Sequence, residues 1–218
     1  MPTDAAPSDD PGPRVRIVLL TGPSGSGKSH LAARSGLPTL CLDDFYRDGD
    51  DPALPTGPDG RVDWDDVRAW DAEAALAALT TLAATGQVEL PIYDITQDRR
   101  VGAHHLDARH APAVVAEGIF AAELARSCRE AGLLADALCL TNGPTRTFWR
   151  RLVRDLREGR KAPMTLLRRG WWLRGQEPDI VARHVALGAE VVDGETALRR
   201  IQAVLAPEPS RNGRDRAA

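Results

Sequence analysis

The sequence predicts an α/β fold, a mainly parallel sheet between helical layers, and three observations carry that prediction. Short apolar and β-branched runs of strand length alternate with stretches of strong helix formers. A glycine-rich turn, residues 22 to 29, stands between the first such run and the first helical stretch. Asp43, Asp44 and Glu117 follow later runs, at the strand ends where open parallel sheets bind their ligands.

Arg14 to Leu20 reads as a strand because Val, Ile and Leu dominate it, and Lys28 to Arg34 as a helix stopped near Gly36. Pro38 to Leu42 reads as a second strand, and the Asp, Pro and Gly crowded between Arg47 and Gly60 as a long surface loop. Asp71 can cap a helix over Ala72 to Ala84, since its carboxylate accepts from first-turn N–H groups, and Gly86 supplies the stop. Gln87 to Thr96 reads as extended, Ala113 to Ala116 as a buried strand, Glu123 to Glu130 as a helix and Asp136 to Leu140 as a further strand. Pro144 then opens another helix.

With 218 residues, 43% hydrophobic and 27% charged, the chain suits one compact domain over 14 to 206. Residues 1 to 13 and 207 to 218, polar and without apolar periodicity, are expected to be disordered tails. No apolar run approaches the ~18 residues of a membrane span, and the N-terminal residues lack a signal pattern, so a cytoplasmic protein with no membrane partner is expected. A net charge of −3 argues against a nucleic-acid partner. Cys41, Cys128 and Cys139 show no Cys-x-x-Cys spacing and read as reduced thiols. Lysine occurs only at Lys28 and Lys161 in a chain that otherwise uses arginine, which singles out both positions.

The turn reads Gly22, Pro23, Ser24, Gly25, Ser26, Gly27, Lys28 and Ser29, fitting G-x-x-x-x-G-K-[ST] in its required strand-to-helix setting. Such a loop points successive N–H groups at a phosphate, and a Cβ would obstruct several of the conformations involved. The helix start adds its positive end. Lys28 then meets the β- and γ-phosphates as a point charge, and the Ser29 hydroxyl is a Mg²⁺ ligand.

Residues 41 to 48 read Cys-Leu-Asp-Asp-Phe-Tyr-Arg-Asp, 91 to 94 Pro-Ile-Tyr-Asp and 115 to 118 Val-Ala-Glu-Gly, and arginines cluster from Arg146 to Arg160. With the phosphate loop, and in this order and spacing, these segments resemble the uridine kinase and phosphoribulokinase group of P-loop kinases, over about Val15 to Val192. The resemblance implies the P-loop NTPase three-layer fold with a helical lid at about 146–174, ATP and Mg²⁺ as cofactors, and γ-phosphoryl transfer to a hydroxyl of a small molecule. A nucleoside, uridine or cytidine, is the first acceptor it implies, and it leaves room for a homo-oligomer.

By the same resemblance Asp43 accepts or orients the proton of the attacking hydroxyl, with Asp44 as its rival, and Glu117 joins Ser29 at Mg²⁺. Tyr46, Asp63 and Tyr93 line the acceptor pocket, with Arg100 and Arg146 on that side. Arg154 joins Lys28 as a catalytic cation, while His30, Arg150 and Arg160 complete the ATP set begun by residues 22 to 29. Arg146, Arg150 and Arg154 share one helix face at i, i+4 spacing; a solvated basic face paired with Asp155 and Glu158 is the plainer alternative. Trp149, Trp171 and Trp172 lie near these arginines, and core packing is the commoner use of tryptophan.

The chain departs from the family pattern at two places. Asp98, Arg99 and Arg100 stand where a histidine precedes an arginine, and Asp63, Trp64 and Asp65 where Asp-His-Pro is typical. Two other functions stay open: a kinase of another small alcohol, such as a sugar phosphate or a pantothenate-like metabolite, and a nucleotide-dependent regulatory ATPase. The missing Asn-Lys-x-Asp element argues against a GTPase.

Overall fold

The computed structural model describes residues 14–141 and 177–205. The lid expected at about 146–174, with Arg146, Arg150, Arg154 and Arg160, lies outside them, as do the two expected tails and the helix expected at Pro144.

Strand β1 (Arg16–Thr21) has every residue after Arg16 buried, as a strand covered on both faces requires. It pairs in parallel with β5 (Ala113–Glu117) on one side and β6 (Leu134–Leu140) on the other. β2 (Thr39–Cys41) extends the sheet beyond β5, and β7 (Glu190–Val192) extends it beyond β6, giving the order β2-β5-β1-β6-β7 with every pair parallel. Chain order therefore reverses direction at β1. At such a point neighbouring connections leave on opposite faces, and a crevice opens at the carboxyl ends of the strands.

Side chains along β1 alternate between two cores. Ile17 and Leu19 join Leu40, Val114, Ala116 and Cys139 under α2 (Ala72–Thr85) and α3 (Ala125–Glu130). Val18 and Leu20 join Val115, Leu138 and Leu140 under α1 (Lys28–Arg34) and α5 (Gly194–Ala203), through Leu31, Ala197 and Ile201. Helix, sheet and helix thus form the three layers predicted. α2 begins where expected: the Asp71 carboxylate accepts from Ala74 N–H at 3.0 Å, and Gly86 ends it in the left-handed region at φ 76°. A further helix, α4, covers 177–186.

One local expectation changes. The second strand is shorter than Pro38 to Leu42, because Leu42–Phe45 turn into a 3₁₀ segment that buries Leu42 and Phe45. The extended stretch expected from Gln87 is an antiparallel ribbon, β3 (Gln87–Asp94) with β4 (Arg99–Asp107), separate from the main sheet. The turn between them places Asp98 at φ 49°, a left-handed conformation that Asp tolerates better than most residues.

Candidate active site

Three chain reversals deliver the predicted polar residues to the carboxyl edge of the sheet. The first follows β1. Gly22 adopts φ 140°, and a Cβ there would collide with the Leu140 carbonyl, so only glycine lets the loop leave β1 against the end of β6. Gly27, at φ 97°, is the residue before α1 and turns the loop into the helix. Lys28 is buried, and its Nζ donates to the carbonyls of Gly22 at 3.0 Å and Pro23 at 3.4 Å. The ammonium therefore lies folded along the loop that it serves. Ser29 and His30 are exposed at the first turn of α1.

The second reversal ends β5. Glu117 is only 5% exposed, and burial raises its carboxyl above the ordinary range. A hydrogen bond from the Ser29 side chain and the Lys28 charge oppose that rise, while Asp43 and Asp44 add to it. The same relations show that the phosphate loop and all three predicted carboxylates lie within electrostatic reach of one another. Gly118 then brings the backbone against the 3₁₀ segment: a Cβ on it would lie 2.8 Å from Asp43 Oδ1 and 2.9 Å from Leu42 Cβ.

The third follows β2 and separates the two neighbouring aspartates. Asp43 Oδ1 accepts from Ile119 N–H at 3.0 Å, which faces the carboxylate toward the end of β5. Asp44 Oδ1 accepts from Tyr93 N–H at 3.2 Å and so ties the 3₁₀ segment to the ribbon. The ribbon is fixed further by Tyr93 Oη donating to Arg47 O at 3.1 Å and by Arg100 N–H donating to Asp48 at 2.8 Å. Burial and these acids push the Cys41 thiol far up, so it is a neutral neighbour of the site.

An aromatic wall stands beside the carboxylates. Tyr46 lies at its centre, with ring centroids 5.8 Å from Trp64, 5.8 Å from Tyr93 and 6.0 Å from Phe120; Trp70 packs on Phe120 at 5.7 Å. Tyr46 Oη donates to Trp64 O at 3.1 Å, and Trp70 Nε1 donates to Leu42 O at 2.7 Å, which braces the segment carrying Asp43. Burial holds the Tyr46 phenol firmly protonated, and the Tyr93 phenol is pushed up to about 12 for the same reason first. Both tyrosines are thus structural donors as well as wall.

Two predicted acceptor residues are engaged elsewhere. Asp63 is exposed, and its carboxylate accepts from Asp65 N–H at 3.1 Å in a local turn. Arg100 pairs with Asp71 at 3.5 Å, at the start of α2. Trp64, Phe120 and Trp70 were missed by sequence reasoning as site residues. So was a buried group behind the loop, where His184 on α4 reaches Thr21 and Cys139. A histidine seven residues after Glu177, on the same face of one helix, was the only local signal for it.

Among the described residues no group of three or more His, Cys, Asp or Glu is arranged to hold a metal ion. A hydroxyl and one buried carboxylate suit Mg²⁺, which keeps several waters and draws its other oxygens from phosphates. The hydrogen-bonded Ser29 and Glu117, with a carboxyl strained by burial, fit that ion.

Comparison with known proteins bears on the architecture. A candidate fructose transport system kinase from Silicibacter sp. TM1040 superposes with TM-score 0.52 at 20% identity, covering 93% of this chain and 90% of that one. The chain has the three-layer α/β architecture of that protein. At this identity the likeness shows the fold alone. A candidate uridine kinase from Bacillus stearothermophilus superposes with TM-score 0.43 at 21% identity over 63% of this chain and 76% of that one. Among curated proteins, inorganic pyrophosphatases TTM2 and TTM1 of Arabidopsis thaliana are 29% and 28% identical over 155 and 153 residues. These matches take in 70% and 69% of this chain but 22% of each relative, so the chain spans about a fifth of the length of the curated relatives it matches. No protein-family model matches. Among the described residues no helix is long and apolar enough to cross a membrane.

Proposed function

We propose that this chain transfers the γ-phosphoryl group of ATP to a hydroxyl of a small molecule, with a nucleoside as the first acceptor to test. One observation carries the reading: a phosphate loop, a hydroxyl and acid pair suited to Mg²⁺, and a separately oriented carboxylate converge at the carboxyl edge of one parallel sheet. A nucleotide switch needs the first two and has no use for the third.

Main-chain N–H groups of residues 24 to 29, at the loop and the start of α1, bind the phosphate tail, and Lys28 moves from the loop carbonyls to the phosphate oxygens. Bound Mg²⁺ supplies charge neutralisation on the phosphates, held on the protein side by Ser29 and Glu117. Asp43 accepts or orients the proton of the acceptor hydroxyl. Transfer of this kind depends on positioning more than on strong base chemistry, so an aspartate held by one N–H group suffices. The wall of Tyr46, Tyr93 and Trp64 offers ring faces to a base or to the apolar face of a sugar. Arg150 and Arg160 are proposed to neutralise charge on the phosphates with Arg154 as a catalytic cation, and Arg146 to serve the acceptor side.

A second reading, a sugar-type alcohol as acceptor, draws support from Trp64 standing where Asp-His-Pro is typical and from Asp63 being held in a local turn. The named role of the Silicibacter fold relative lies in the same direction.

The test is incubation with ATP and Mg²⁺ and a panel of nucleosides, hexoses, sugar phosphates and pantothenate, with products read by mass. A phosphorylated nucleoside is expected. A phosphorylated sugar or other alcohol instead selects the second reading. Phosphate release with no acceptor product rejects both and favours the regulatory ATPase; hydrolysis of added pyrophosphate would extend to this chain the activity named for its curated relatives.

A further inference from the structure

The Asp43 carboxylate accepts from the main-chain N–H of Ile119, and the same residue's carbonyl accepts from a buried side chain of β1. Thr21 Oγ1 donates to Ile119 O at 3.3 Å. The His184 ring lies 3.3 Å from Thr21 Oγ1 through Nδ1 and 3.6 Å from Cys139 Sγ. Thr21 is 1% exposed, His184 4% and Cys139 fully buried. Burial, helped by the charges of Lys28 and Arg183, pushes His184 down to about 4, so the ring is neutral, with one donor and one acceptor nitrogen. Burial pushes the Cys139 thiol up to about 11, which keeps its S–H as a weak donor. With the ring proton on Nε2, Nδ1 accepts from the Cys139 thiol, while the hydroxyl of Thr21 satisfies Ile119.

The peptide that reaches Asp43 is clamped along its length. Gly118 N–H donates to Leu20 O at 3.2 Å, and Gly118 O accepts from Ala121 N–H at 3.4 Å. Ile119 N–H goes to Asp43, and Ile119 O, on the next peptide plane, goes to Thr21, whose hydroxyl lies against His184. Rotation about the Ile119 backbone would break the Asp43 bond. The groups preventing it come from β1 and from α4.

We propose that Thr21 and His184 are positioning residues for phosphoryl transfer, acting through the main chain of Ile119 on the orientation of Asp43. The inference rests on the reading of Asp43 as the transfer carboxylate. It also explains a buried threonine and histidine at the root of a phosphate loop that neither of them contacts as a phosphate ligand.

The test combines kinetics with a spectroscopic signal. Thr21→Val, which keeps shape and loses the donor, is expected to lower kcat about tenfold or more while leaving KM for ATP within about twofold. Thr21→Ser is expected to recover most of that loss. His184→Leu should behave as Thr21→Val does, and His184→Gln, which keeps a polar partner beside Thr21 Oγ1, should retain most turnover; this pair is read if Thr21→Val does not fold. In an Asp43→Asn background Thr21→Val should cause no further loss, because the group it positions is gone. The Ile119 amide resonance should move in Thr21→Val and in Asp43→Asn. Full kcat in Thr21→Val, losses that multiply in the double variant, or an unmoved Ile119 amide would each overturn the proposal. Wild-type turnover in Asp43→Asn would instead overturn the functional reading, and the amide signal reads the Ile119 linkage whether or not an acceptor has been found.

Discussion

His184 makes the stability of this fold depend on mildly acidic pH in a way that can be calculated. Its imidazole has an ordinary pKa near 6.5 and in the folded chain is pushed down to about 4, first by burial and then by Lys28 and Arg183. The unfolded chain therefore binds a proton between these values that the folded chain refuses. Stability is fully present above about pH 6.5 and is lost as the pH falls toward 4. At about 1.4 kcal/mol per pH unit, the gap corresponds to a loss of about 3 kcal/mol from this one group. Glu117 acts in the opposite sense, because a carboxyl raised by burial favours the folded state as it protonates. The comparison is therefore with His184→Gln, which keeps Glu117 and removes only the titrating ring. Urea unfolding followed by tryptophan fluorescence at pH 7.5, 6.5, 5.5 and 4.5 should show wild type losing about 2 to 3 kcal/mol more than the variant across the range. Parallel loss in the two proteins, or a steeper loss in His184→Gln, would refute the reasoning.

Other outcomes follow from the site. Asp43→Asn should reduce transfer by about a hundredfold or more while ATP affinity, read by calorimetry, changes little; Lys28→Ala should weaken both affinity and turnover. Gly118→Ala places a methyl group 2.8 Å from Asp43 Oδ1, so kcat should fall about tenfold or more with KM for ATP nearly unchanged. Trp70→Phe keeps the packing on Phe120 but leaves the buried Leu42 carbonyl without its 2.7 Å donor, and should lower unfolding free energy by about 1 to 3 kcal/mol in a denaturant titration. Glu117→Gln should raise the Mg²⁺ concentration needed for half-maximal turnover, measured by metal titration at saturating ATP.

The parts of this molecule that were legible in the sequence are those whose cause is local. β1 and β5 announce themselves because a strand buried on both faces must be apolar throughout, and α2 because Asp71 and Gly86 sit at its two ends. The phosphate loop is legible for the same reason, since its glycines answer to conformations set within the loop. β4 gave no such signal: it is exposed along nearly all its length, so no core imposes alternation on it. The different partners of Asp43 and Asp44 were also hidden, because Ile119 and Tyr93 lie far along the chain and only folding brings them to adjacent side chains. Thr21 and His184, 163 residues apart, are an extreme case: each looks ordinary alone.

The ribbon of β3 and β4 is sewn to the acidic turn after β2 at Asp44, Arg47, Asp48 and Gly49, the last through its N–H to Asp98 O at 2.6 Å. Turn and ribbon are consequently joined at several points, and Tyr46 and Tyr93 of the aromatic wall lie one on each. On the proposed reading the ribbon is a graftable cassette: a loop exchange that preserved the stitches would change acceptor preference and leave residues 22 to 29 unaltered.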